Sequence, residues 1–333
     1  MRPNNLSRWI VLRRRLVRDA NRLVAPLENS LLAEVNREVG HRPIFIVGPP
    51  RSGTTLLTQV LTGHCDVGYL TNLHNAVWGA PAVVEQLVHP LRWRGAPDYR
   101  STFGNTRSWL GESEAPNYWL RFFPERPHFV AEDDVEPDRL RALRAAVRRL
   151  VRAFGRDIVF KTINNTGRVR PIAAALPEAL FIVSRRQPLA TARSILEARH
   201  SYFGTFDRWW SLESPGWQEL AARPAHEQAA EQVLRTYEAL DEARRAIGAE
   251  RFVDVRYESL CDDPRSVLEE IKAFTAIPAA HNASPLPERF PRDGRVGIPA
   301  ELDESLSDYL RRRLARQIHH PADAREAAAQ KHA

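Results

Sequence analysis

Residues 44–61, IFIVGPPRSGTTLLTQVL, constrain the fold of this chain more than any other stretch. An apolar, β-branched run closes on Gly48, which marks the end of a buried strand. From Thr54 the spacing changes: Leu56, Leu57, Val60 and Leu61 fall on one face of a helix, with Gly63 expected to mark its end. A strand that passes into a helix through a glycine-bearing loop is the opening unit of a parallel α/β sheet. The loop follows the phosphate-binding pattern G-x-x-x-x-G-K-[ST] at Gly48, Gly53 and Thr55, but Thr54 stands where the lysine belongs. The first amides of a helix have no intrahelical partner, so such a loop still gathers N–H donors around an anion. Ser52, Thr54 and Thr55 add neutral donors, and Arg51 adds a forked, charge-assisted one. The pattern predicts a site for a tetrahedral oxyanion, with kinase or nucleoside-triphosphatase chemistry as the alternative that the missing lysine disfavours.

The rest of the chain repeats the alternation. DIVFKT (157–162), EALFIVSRR (178–186) and RFVDVRYESL (251–260) read as further strands. Helical patterns lie between and after them, in DRLRALRAAVRRLVRAFG, PLATARSILEAR, DPRSVLEEIKAFTA and DESLSDYLRRRLARQI. Right-handed crossovers then imply a mainly parallel sheet covered on both faces. The stretch 65–130 is mixed in pattern, and SYFGTFDRWWSLESPGW (201–217) reads as an aromatic loop. We expect a basic amphipathic helical extension over 1–40, one α/β domain over 41–318 and a frayed tail over 319–333. The extension, with Arg13, Arg14, Arg15 and Arg18 among its apolar residues, suits either a helix packed on the domain or peripheral contact with an anionic membrane.

The net charge of +7 comes almost wholly from arginine; the lysines are Lys161, Lys272 and Lys331. Such a charge favours anionic partners in general. No reader module and no basic stripe interleaved with aromatics points to a specific nucleic acid, which leaves a non-enzymatic nucleic-acid binder as the weaker alternative. Cys65 and Cys261 form neither a metal-ligand spacing nor a disulfide framework. No apolar run has the length of a secretory core or a membrane span. These features lead us to expect a cytoplasmic protein.

PPRSGTTLL resembles the 5′-phosphosulfate-binding loop of sulfotransferases that use 3′-phosphoadenosine 5′-phosphosulfate (PAPS). It is similar to the arginine-bearing branch that includes tyrosylprotein sulfotransferases and many bacterial enzymes. A second motif, FIVSRRQPLATARSIL, matches the family's strand-end arginine, proline and serine at Arg186, Pro188 and Ser194; Gln187 stands where the family often has Asp. In the resemblance Arg186 and Ser194 hold the 3′-phosphate. Looser likenesses place Tyr257 near the adenine, although Tyr257 and Glu258 could equally fix a strand end, and put Arg292 or Arg295 at the 3′-phosphate. The likeness spans roughly 41–300. It implies a P-loop-NTPase-like parallel sheet flanked by helices in a single sulfotransferase domain, with PAPS as co-substrate and no metal.

The reaction so implied is in-line sulfuryl transfer to a hydroxyl or amine of a small-molecule, glycan or lipid acceptor. It asks a protein mainly for positioning and for cations on the leaving-group oxygens. Arg51 and Lys161 are the candidates for that work. Asn72 occupies the place of the tyrosylprotein branch's catalytic glutamate and cannot act as a base, so His74, Glu114 and Glu112 are the alternatives. Trp209, Trp210, Trp217, Tyr202 and Phe203 could cover an acceptor or pack inward as a satellite core.

Overall fold

The computed structural model describes residues 15, 17–26, 28, 40–89, 99, 108–281, 283–292 and 297–319. Five parallel strands, β1 (Pro43–Val47), β2 (Gly68–Tyr69), β3 (Ile158–Lys161), β4 (Leu180–Arg185) and β5 (Phe252–Arg256), lie in the order β2-β3-β1-β4-β5. The P-loop-NTPase-like sheet expected from the sequence is the one observed.

Strand pleating explains why both faces are covered. Phe45 and Val47 point into one core while Ile44 and Ile46 point into the other. Helices α1 (Thr54–His64) and α2 (Pro264–Thr275) cover the second face through Leu57, Val60, Leu61, Val267, Leu268 and Ile271. The first face carries α3 (Pro137–Phe154), α4 (Pro188–Phe203), α5 (Ala225–Ile247) and α6 (Ala300–His319). In α3 the residues Leu143, Val147, Leu150, Val151 and Phe154 recur at helical spacing and are buried, and the helix stops at Gly155 in the left-handed conformation.

The register is pinned by a row of phenylalanines. Phe160, Phe45, Phe181 and Phe252 pair side by side on β3, β1, β4 and β5. Their rings stack with centroid separations of 5.2, 5.7 and 4.9 Å across the row. Each such pair adds about 0.5–1.5 kcal/mol beyond burial, and a one-residue slip would send each ring to the opposite face. The strands' C-terminal ends, where the site lies, are levelled by this row.

Several sequence boundaries shift. The weakly patterned 65–130 region contains β2, too short to show a period. RFVDVRYESL leaves the sheet at Arg256, and YESL begins a helix, Tyr257–Asp262. Gly63 lies inside α1, which runs on to His64. Helix α4 extends to Phe203, into the stretch read as a loop. The described residues between 15 and 28 are helical, and their inner face is docked: Asn21 Nδ2 donates to Ala76 O at 3.0 Å, and Glu28 Oε1 accepts from Ala82 N at 2.8 Å. The packed alternative for this segment is therefore the one seen over those residues, with Arg18 and Arg22 exposed beside Asp19. The other residues of the extension and the tail beyond 319 lie outside the described residues. Among the described residues no helix is long and apolar enough to cross a membrane.

Candidate active site

The chain leaves β1 toward β2 and leaves β4 toward β5, so the two connections diverge and open a crevice at the strands' C-terminal ends. The two anion motifs meet there. Arg51 Nε donates to Ser194 Oγ at 2.8 Å, joining the first loop to α4. Arg186 Nη1 donates to Arg51 O at 3.1 Å, and its guanidinium lies 4.5 Å from the centre of the Tyr257 ring. That cation–π contact, together with near-complete burial of Arg186, fixes the direction of its fork. Tyr237 orients the backbone behind it: its hydroxyl accepts from Arg186 N at 2.8 Å and donates to Arg186 O at 3.2 Å. Burial pushes the Tyr237 pKa up to about 12, so the hydroxyl keeps its proton and can donate.

The loop is built for close approach. Gly53 has φ 93°, and a Cβ there would lie 2.2 Å from Cδ2 of Tyr257, so only glycine fits over that ring. Arg51 itself has φ 68°, a left-handed conformation that costs a non-glycine residue on the order of 1 kcal/mol. Helix α1 starts with no side-chain cap, which leaves its first amides aimed into the crevice. Ser52 has a different task from the one expected: it is fully buried, and its hydroxyl donates to Pro49 O at 2.8 Å, closing the turn. Thr54 is nearly buried at the head of α1, while Thr55 lines the adjoining cleft.

That cleft runs between α1, β2, β3 and the 112–114 segment. Lys161, at the end of β3, donates from Nζ to Glu114 Oε1 at 2.5 Å. Glu114 Oε2 accepts from Ile163 N at 3.1 Å, and its carbonyl accepts from the Thr162 hydroxyl. The carboxylate is thus rigidly held yet partly exposed, beside Thr55 and within the same lining as Lys161. Glu112 lines the same cleft and accepts from Thr62 Oγ1 at 2.9 Å.

Residues 43–281 match the model of the Sulfotransferase family. The chain belongs to the sulfotransferase family. Curated relatives from Mycobacterium tuberculosis and Mycobacterium bovis, each named omega-hydroxy-beta-dihydromenaquinone-9 sulfotransferase Stf3, are 26% identical over 247 residues. That alignment covers 69% of this chain and 61% of theirs, so the chain spans less than two thirds of those relatives' length. The fold is also that of sulfotransferase STF9 from Mycobacterium avium, with a TM-score of 0.51 at 16% identity, covering 90% of this chain and 74% of that one.

Within this sulfotransferase fold the remaining candidates fall elsewhere. His74 is fully buried: Nδ1 accepts from Thr71 N at 3.1 Å in a helix cap, and Nε2 stands 3.4 Å from Glu85 Oε2. It serves the packing of that corner and is not brought to the cleft. Arg292 is exposed and pairs with Asp262, while Arg295 lies outside the described residues. The aromatic stretch divides. Trp209 packs over Arg199 at 5.1 Å and against Trp217 at 6.0 Å, and Tyr202 with Trp210 forms a more exposed stack at 5.6 Å. Sequence reasoning missed Tyr237, Thr166, whose hydroxyl bonds both the N–H and the C=O of Gly48, and Ser184, whose hydroxyl donates to Ser52 O. The lone hydroxyl of Ser184, directly after the apolar run Leu180–Val183, was the one available signal.

Proposed function

We propose that this chain is a PAPS-dependent sulfotransferase acting on a hydroxyl or amine. The observation that carries this reading is the union of the two anion segments through the Arg51–Ser194 hydrogen bond, 2.8 Å long, at the switch point of the sheet. The uncapped α1 terminus with Thr54, Thr55 and Arg51 suits a phosphosulfate, and Arg186 with Ser194 suits a second phosphate, with Tyr257 beside it. PAPS, when bound, supplies a sulfuryl group on a phosphate leaving group. The chain's own part is to hold Arg51 and Lys161 toward the leaving-group oxygens, where fixed cations favour developing charge. Glu114 receives the acceptor's proton, and Lys161 keeps that carboxylate oriented.

The acceptor is read more coarsely, as a small-molecule or lipid hydroxyl with a glycan as the remaining choice. The lipid option draws on the substrate printed in the names of the two mycobacterial relatives. Residues 41–318 form the catalytic unit in this reading, supported by the burial of Leu306 and Leu310 of α6 in its core. The basic extension is a candidate for peripheral membrane contact from the cytoplasmic side. Flotation with anionic vesicles, comparing the full chain with one starting at residue 40, tests that point; equal soluble fractions remove it.

Calorimetric titration with adenosine 3′,5′-bisphosphate, ATP and duplex DNA tests the main proposal. Binding of the bisphosphate at least tenfold tighter than ATP is the expected result, about 1.4 kcal/mol or more. Absence of bisphosphate binding at millimolar concentration sinks it.

A further inference from the structure

The phosphate loop is held by side chains that do not belong to it. Registered pairing of β1 ends at Ile46 toward β3 and at Val47 toward β4, so Gly48 has left both ladders while remaining buried. A buried backbone N–H and C=O need partners. The Thr166 hydroxyl serves both: Oγ1 accepts from Gly48 N at 3.1 Å and donates to Gly48 O at 3.0 Å. On the opposite side Ser184 Oγ donates to Ser52 O at 2.7 Å. Thr166 and Ser184 are 3% and 2% exposed, so water does not substitute for either hydroxyl.

We propose that Thr166 and Ser184 are positioning residues of the donor site, clamping the loop from its two flanks. The proposal rests on the donor reading given above. The clamp sets the curvature between Gly48 and Gly53, and hence the point on which Arg51 and the first amides of α1 converge. Space on the β4 side is already full: a Cβ on Gly48 would lie 2.7 Å from Ser184 O and 2.8 Å from Ser52 Oγ. With the Thr166 bonds cut, the loop has room only to lift away from the sheet, which spreads the donors that face the anion.

The same short segment supports the other half of the site. It begins at Lys161, and its Thr162 hydroxyl and Ile163 amide hold Glu114. Donor loop and acceptor-side carboxylate therefore hang from residues 161–166, through attachments that substitution can separate.

Calorimetry with adenosine 3′,5′-bisphosphate on the full chain tests the clamp, with thermal unfolding measured alongside. Thr166→Val keeps the shape and removes both bonds, and should raise Kd by roughly ten- to a hundredfold. Thr166→Ser restores the hydroxyl and should stay within about threefold of wild type, and Ser184→Ala should raise Kd by about fivefold or more. Thr162→Val, which loses only the Glu114 attachment, should change Kd by less than about twofold. A merely structural threonine would lower the unfolding midpoint of Thr166→Val with Kd unchanged, and that result overturns the proposal. Should Thr166→Val not fold, an unchanged Kd in Ser184→Ala overturns it instead. Failure of the wild-type chain to bind the nucleotide is a separate result that removes the donor reading itself.

Discussion

Glu114 and His74 are both ionisable groups near the loop helix, and their surroundings assign them opposite work. Glu114 is partly exposed in the cleft and held by Lys161, whereas His74 is sealed against Glu85 and Thr71. Glu114→Gln should lower kcat roughly 10²- to 10⁴-fold with nucleotide Kd unchanged, as expected when a general base is lost. His74→Ala should leave kcat near wild type yet destabilise the fold by about 1–3 kcal/mol in urea unfolding, because the buried Thr71 N–H loses its acceptor. The reverse pattern would exchange the two roles. His128 yields a pH prediction. Burial first, then Arg168 and Arg126, push its pKa down to about 4, and its Nδ1 accepts from Glu213 N at 3.0 Å, so the folded state keeps the ring neutral. A histidine whose folded pKa is depressed contributes stability above its unfolded pKa and loses it as pH falls toward the folded value. Stability should therefore decline from about pH 6.5 to 4. Glu213, its own pKa raised mainly by burial, acts in the opposite sense, so the comparison with His128→Gln isolates the ring: the variant's slope should be smaller by about one proton. Equal slopes would show that His128 protonates freely in the fold.

At the scale of elements, the phenylalanine row and the loop glycines divide stability from function. Phe45 stacks between Phe160 and Phe181 at full burial. Phe45→Ala should cost about 3–5 kcal/mol in denaturant unfolding, the range for deleting a buried ring. Gly53→Ala should act differently, since its Cβ meets the Tyr257 ring at a φ alanine rarely adopts. Nucleotide Kd should rise more than about tenfold while the far-ultraviolet circular dichroism stays native; unchanged binding would mean that Tyr257 yields freely. β1, the loop glycines and α1 were legible because β-branched runs, glycine punctuation and helical spacing are local signals. β2 was not legible, since two residues carry no period, and it is held in place by pairing with β3. The helical start at Tyr257 was likewise hidden, because YESL is compatible with either state until the sheet ends at Arg256.

For the molecule as a whole, binding at the sheet's switch point couples β1, β4 and the helices that follow them. A ligand that binds only the folded state at a hundredfold excess over Kd adds about 2.7 kcal/mol. Adenosine 3′,5′-bisphosphate should accordingly raise the unfolding midpoint by a few degrees, and Arg186→Ala should abolish most of that rise. A midpoint that does not respond, in a protein shown to bind the nucleotide, would mean that the unfolded chain binds it equally. The amino-acid sequence by itself determined the alternation of strand and helix, the glycine-bearing loop with Arg51, and the second motif with Arg186 and Ser194. Each of these is written in neighbouring residues, whose backbone preferences and spacing act over a few positions. The tertiary structure alone decided that Arg51 meets Ser194, that Glu114 and not His74 stands with Lys161, and that Thr166 carries Gly48. Those pairs are separated by tens of residues or more, and they exist only where parallel pairing and a full core bring the strand ends level.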